Sequence, residues 1–354
     1  MRPRVDKRRA GVVGGVMGAV FAGVAAGVAV ERLVVGRDRL RPDPEASEPF
    51  GRLPGRESMV TLPDGVRLHV EETGDGPLTV VFVHGFALSL ASWHYQRRDL
   101  ADVARLVFYD QRAHGQSTRG DDAKNTLRQL GHDLAEVIEQ VAPRGPVVLV
   151  GHSMGGMTVM SLAQERPDLI GTRVVAAALL ATSAGGIAEA VVPIGSRATD
   201  VLSSRLLPRA HRVAGSPFVG RARRAGSDLN FLFTKIWGFG DNPSPAQVEL
   251  CERMTSATPL DVITSFLPTF VEHDLYRGLT ELARIPTLVI GGTKDKVTPY
   301  SHSEEIARRI PGTQFVTLAG AGHMLMCERA PLVNLHLRAF LRRAARGSAA
   351  ARGA

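Results

Sequence analysis

Hydrophobic positions along the chain fall into short, mostly apolar runs at 78–83, 104–109, 147–150, 174–180, 287–292 and 314–318, rich in Val, Ile and Leu. Runs this short with little polar alternation are the pattern of strands buried on both faces, as in a parallel sheet. At 127–141 the period changes: Leu127, Leu130, Leu134, Val137, Ile138 and Val141 recur at helical spacing and predict an amphipathic helix. Residues 302–310 and 331–345 also read as helices. Near the start, 59–62 and 66–71 flank Pro63-Asp64-Gly65, a hairpin signal. Strands alternating with helices predict an α/β fold with a mostly parallel sheet. Between 184 and 283 no strand-like run occurs, and a stretch this long is read as a helical lid rather than a loop.

The rest of the chain divides around this core. Residues 59–183 and 284–345 form the core in two pieces, interrupted by the lid at 184–283. Residues 1–41 are a basic N-terminus with an apolar segment, 42–58 a linker punctuated by Pro42, Pro44, Pro49 and Pro54, and 346–354 a low-complexity tail expected to be disordered. Residues 10–30 carry no charge and are long enough to span a bilayer. An uncleaved membrane anchor is the favoured reading, because the run exceeds a usual signal core and lacks an Ala-x-Ala site. The denser positive charge ahead of it would leave the folded domain on the extracytoplasmic side. A cleaved export signal, with Arg8-Arg9 ahead of the apolar run, and a soluble Gly/Ala arm are the alternatives.

Charge and cysteine usage narrow the function. The formal net charge is +8. Residues 1–41 hold nine Lys or Arg against three acids, and 342–354 hold four Arg and no acid, so the excess sits at the ends and the folded stretch between them is slightly acidic. That distribution argues against a nucleic-acid groove. Seven arginines between Arg197 and Arg224, against the single acid Asp200, read as a solvated helix face or a contact for anionic headgroups. Cys251 and Cys327 have neither metal-site nor disulfide-framework spacing and read as ordinary thiols. No His/Cys/Glu cluster suggests a metal, and no cofactor is expected.

The candidate chemistry centres on Gly151-His152-Ser153-Met154-Gly155-Gly156, directly after the strand at 147–150 and before a stretch of helical composition. Glycines on both sides let the chain bend sharply and leave the Ser153 hydroxyl exposed at the strand's carboxyl end. The first free N–H groups of the following helix point to where an oxyanion would develop. Asp295 lies in the loop after the strand at 287–292. His323, in Gly320-Ala321-Gly322-His323-Met324, follows the last strand. A nucleophile, an acid and a base thus occur at three strand ends, in the order Ser, Asp, His.

With Val83-His84-Gly85-Phe86, Asp110-Gln111-Arg112-Ala113-His114-Gly115-Gln116-Ser117, and Gly322-His323, these motifs make the chain resemble the α/β-hydrolase family with an inserted lid. The resemblance covers about 59–341 and implies an eight-stranded, mostly parallel sheet flanked by helices, with the lid between strands 6 and 7. It also implies a Ser153, His323, Asp295 triad and an oxyanion hole made by the backbone N–H groups of Phe86 and Met154. Ala113 departs from the glycine often found in that turn. His84, Asp110, Arg112 and His114 are read as loop scaffolding, His152 as structural, and His302 as a rival base directed away from Ser153. Phe231, Phe233, Ile236, Trp237, Phe239, Phe266 and Phe270 belong to lid core or to a pocket.

The expected function is hydrolysis of a carboxylic ester, an apolar one and lipid-like if the domain sits at a membrane, through an acyl-enzyme. Amide, thioester or carbon–carbon bond hydrolysis and perhydrolysis on the same triad remain open, as does a ligand-sensing receptor with slow turnover. Epoxide hydrolases and haloalkane dehalogenases of this fold carry an aspartate where Ser153 stands.

Overall fold

The computed structural model describes residues 35–187 and 227–353. The apolar segment 10–30 and the arginines between 197 and 224 lie outside the described residues. Among the described residues, no helix is long and apolar enough to cross a membrane.

Eight strands form one sheet: β1 (Arg56–Thr61), β2 (Arg67–Thr73), β3 (Thr79–Val83), β4 (Arg105–Tyr109), β5 (Val147–His152), β6 (Val174–Leu180), β7 (Thr287–Gly292) and β8 (Gln314–Leu318). Their order is β1-β2-β4-β3-β5-β6-β7-β8. β2 pairs antiparallel with both β1 and β4, and every other pairing is parallel. The hairpin appears where Pro63-Asp64-Gly65 predicts it, with Gly65 at φ 84°.

Besides a helical stretch at 35–39, the described helices are α1 (His94–Leu100), α2 (Leu127–Val141), α3 (Met154–Glu165), α4 (Ser227–Gly238), α5 (Pro245–Ala257), α6 (Leu260–Glu272), α7 (Tyr276–Leu282), α8 (Tyr300–Arg309), α9 (Leu325–Glu328) and α10 (Ala330–Gly353). Strand side chains alternate between two faces, so the central strands β3 to β7 each feed two apolar cores. Val81, Val83 and Leu149 join Leu130, Leu134 and Ile138 of α2 and Val159 and Leu162 of α3 on one face. Val80, Phe82 and Val150 join Trp93, Leu100 of α1 and Val333 and Leu337 of α10 on the other. Burial on both faces is why β3 to β7 read as continuous apolar runs; β8, at the sheet edge, is only partly buried and leaves Phe315 exposed.

Between β6 and β7 the described residues form α4 to α7. Phe231, Phe239 and Phe266 are buried there as core, whereas Phe233, Ile236 and Trp237 of α4 are exposed. Phe266 and Phe270 of α6 pack on Phe86, at 5.9 and 5.0 Å between ring centroids.

Two boundary expectations need correcting. The tail expected to be disordered is instead helical to Gly353, as the continuation of α10. Alanine and arginine have high helix propensity, and a helix already docked through Leu337 and Leu341 can extend without paying for a new nucleus. The stretch read as a linker, 42–58, is irregular only as far as 55, since β1 already begins at Arg56, and it is not free. Asp43 accepts hydrogen bonds from the Ser244 hydroxyl and the Ala246 N–H, both at 2.8 Å, and the Phe50 ring lies 4.7 Å from His94. Packing begins at least as early as Val35, which is buried.

Candidate active site

β5 ends at His152 and α3 starts at Met154, so Ser153 alone makes the turn. It does so at φ 53° and ψ −120°, a left-handed strain that a non-glycine residue adopts only when its surroundings enforce it. They do so by close approach: a Cβ on Gly155 would run into the Val83 carbonyl, so only glycine lets α3 start against β3. The Ser153 N–H donates to the Leu180 carbonyl (3.0 Å), and the Thr182 hydroxyl donates to the Ser153 carbonyl (2.7 Å). The first helical bond of α3 runs from the Met157 N–H to the Ser153 carbonyl (3.1 Å), leaving the N–H of Met154 without an intrahelical acceptor.

The structure brings the two other predicted residues together. His323 Nδ1 lies 2.9 Å from Asp295 Oδ2 and 3.1 Å from Oδ1. An ionised carboxylate can only accept, so Nδ1 carries the proton and the Nε2 lone pair is left free. Asp295 is buried, which alone would raise its pKa. The His323 ring and donors from Thr298 outweigh burial and hold the carboxyl below its usual range. Those donors are the Thr298 N–H (2.9 Å) and hydroxyl (2.8 Å), joined by the Val297 N–H (2.9 Å). Ser153, Asp295 and His323 are each 7% exposed. The Ser153 hydroxyl makes no hydrogen bond among the described residues. Such bonds are commonly long before substrate binds and tighten in the complex.

His152, read from the sequence as structural, lies against the catalytic candidates. Its Nε2–H donates to the His323 carbonyl at 2.9 Å, and the two rings are 4.7 Å apart. Burial and the neighbouring His323 push its pKa down to about 3, so it stays neutral. Glu328 also carries no sequence signal. Its carboxylate accepts the N–H groups of Gly322 (2.9 Å) and Gly240 (2.8 Å), tying the His323 loop to the chain between α4 and α5. Burial pushes its pKa up to about 7 against those two bonds. Thr298, a third supporting residue, differs in having a signal, the D-x-x-T pattern in the loop after β7.

The remaining polar residues have other partners. His302 Nδ1 donates to the Ser183 hydroxyl (2.9 Å), which itself donates to the Gly185 carbonyl (2.7 Å). His84 is buried, with Nδ1 donating to the Gly85 carbonyl (2.8 Å) and Nε2 accepting the Gln111 N–H (2.9 Å). This fixes the loop that carries Phe86. Asp110 accepts the N–H groups of Leu90 and Gln116, both at 2.8 Å. Arg112 forms a buried two-pronged pair with Asp133 (2.5 and 2.7 Å). His114 donates to the Arg112 carbonyl (2.9 Å). Ala113 takes φ 62° without glycine's freedom. Cys251 and Cys327 are buried free thiols.

The alpha/beta hydrolase fold family model matches residues 79–330. The chain belongs to that family, a conclusion its sheet order and strand-to-helix turn at Ser153 support independently. Among curated proteins it is 28% identical to the sn-1-specific diacylglycerol lipase ABHD11 of Mus musculus, over 72% of this chain and 78% of that one. A thermophilic esterase from Thermogutta terrifontis is 26% identical, with a TM-score of 0.64 over 82% of this chain and 99% of the other. The enol-lactonase from Burkholderia xenovorans LB400 is 25% identical, with a TM-score of 0.63 over 81% and 100%.

Proposed function

We propose that the protein hydrolyses carboxylic esters through a Ser153, His323, Asp295 triad and an acyl-enzyme. The observation that carries this reading is the Asp295–His323 pair, held at 2.9 Å and joined through the His323 carbonyl to His152, the residue next to Ser153. In the proposed reaction His323 Nε2 takes the Ser153 proton as the hydroxyl attacks the ester carbonyl. Asp295 holds the Nδ1–H tautomer and stabilises the imidazolium. The N–H groups of Phe86 and Met154 receive the oxyanion, each such donor being worth about 10²–10³ in rate. His323 then protonates the departing alcohol, and water releases the acyl group by the same steps in reverse. The rings of Phe86, Phe266 and Phe270 beside the Phe86 amide favour an apolar acyl group. Esterase and lipase activities among the relatives support the ester as substrate.

The test is a series of p-nitrophenyl esters of increasing acyl length, offered to the full chain and to Ser153→Ala. Turnover by the native chain and a loss of at least about 10³-fold in kcat for Ser153→Ala are expected. Full activity in the variant would overturn the mechanism.

A further inference from the structure

The antiparallel edge of the sheet carries a second chemical cluster, separated from Ser153 by β4 and β3. Glu57 of β1 stands directly opposite Glu71 of β2, and His69 lies two residues before Glu71 on the same face. Like charges directly opposite on paired strands are destabilising. Arg97 compensates only one side of this pair: its NH1 donates to Glu71 Oε2 (2.5 Å), leaving Oε1 turned toward His69. The His69 ring is buried, at 4% exposure, and its Nε2 has no hydrogen-bond partner. That nitrogen lies 3.8 Å from Glu57 Oε2 and 3.9 Å from Glu71 Oε1, too far for a hydrogen bond to either. On the other side of the ring, Nδ1, likewise without a hydrogen-bond partner, faces Asp110 Oδ2 at 3.4 Å.

We infer that Glu57, His69 and Glu71 bind a divalent transition-metal ion of the zinc class. The three ligand atoms all lie within 4.8 Å of one another. One imidazole nitrogen with two carboxylate oxygens is a donor set that zinc accepts, at about 2.0–2.2 Å per bond. The donors must draw together around the ion, and Glu57, whose side chain is 71% exposed, is free to make that movement. Asp110, 3.4 Å from Nδ1, stands where an outer partner would orient a metal-binding histidine and direct the Nε2 lone pair at the ion. The backbone fixes the same ring: the His69 N–H donates to the Ser117 hydroxyl (2.9 Å), and its carbonyl accepts the Asp110 N–H (2.9 Å). Water fills the remaining coordination. The role is structural, because the ion would clamp β1 to β2 and, through His69, brace the Asp110 loop. No ligand spacing in the sequence announces this site; only the cross-strand register assembles it.

The inference stands apart from the proposed hydrolysis, and its test reads binding. The full chain, stripped with a chelator, is titrated calorimetrically with zinc chloride beside Glu57→Gln and His69→Gln, and cobalt(II) is used for its visible absorption. One equivalent bound by the native chain, a rise in melting temperature with zinc, and affinity reduced about tenfold or more in each variant are expected. Glu57→Gln changes an exposed side chain, so it remains informative if His69→Gln folds poorly. No saturable binding, which would leave His69 as an ion-pair partner only, overturns the inference. Equal binding by all three chains, which would place the ion on other surface groups such as His132, overturns it too.

Discussion

The Nε2–H of His152 donates to the backbone carbonyl of His323 at 2.9 Å, so the residue before the proposed nucleophile holds the residue that carries the proposed base. The contact joins the end of β5 to the loop after β8 and fixes where the His323 ring stands. His152→Ala removes that tie while leaving every proposed reacting group in place. A loss of about 10- to 100-fold in kcat with KM nearly unchanged is expected, since small misplacements of a reacting group cost rate more than binding. Steady-state kinetics on a p-nitrophenyl ester check it; a change confined to KM would assign His152 to substrate binding instead.

Glu328 makes stability depend on pH in a direction opposite to that of most carboxylates. Burial holds its folded pKa at about 7, above the ordinary 4.5. Between those values the folded chain keeps a proton that the unfolded chain has released, so this group's stabilising contribution is full below about pH 4.5 and is lost as pH rises through 7. Glu328→Gln cannot titrate. The melting temperature of the variant relative to the native chain is therefore expected to climb between pH 4.5 and 7.5, and a flat difference would contradict the assignment.

Two glycines give opposite predictions for the same substitution. At Gly155 an added Cβ meets the Val83 backbone, which cannot yield without moving β3. Gly155→Ala is expected to cost more than about 4 kcal/mol or to prevent soluble expression. At Gly347, in α10, nothing lies within 4 Å of an added Cβ, and Gly347→Ala is expected to stabilise by about 0.5–1 kcal/mol. Urea unfolding curves measure both.

Residues 10–30 carry the proposed membrane anchor, since an uncharged run of that length can cross a bilayer. Cell fractionation is expected to leave the full chain with membranes after a high-salt wash and to release it with detergent. Release by salt alone would contradict an inserted segment.

Much of this architecture is legible in the residues because burial on both faces writes a simple code. The runs at 147–150 and 287–292 became β5 and β7 almost to the residue, and the turn at Ser153 followed from its flanking glycines. What stayed hidden depends on contacts between distant segments. Nothing in Glu328 announces that it will reach back to Gly322 and Gly240, and His152 beside Ser153 does not reveal that its ring will meet the His323 carbonyl. The tail is illegible for another reason: its composition suggests disorder, but a docked helix upstream supplies the nucleus that Ala- and Arg-rich sequence then extends.

The proposed chemistry requires one unusually reactive hydroxyl, that of Ser153. The full chain is incubated with a fluorophosphonate and analysed by intact mass and peptide mapping, with Ser153→Ala and His323→Ala alongside. One adduct per chain on the peptide containing Ser153, absent from Ser153→Ala and formed far more slowly by His323→Ala, is the predicted result. An adduct on another residue, or labelling of Ser153 at the same rate without His323, would contradict it.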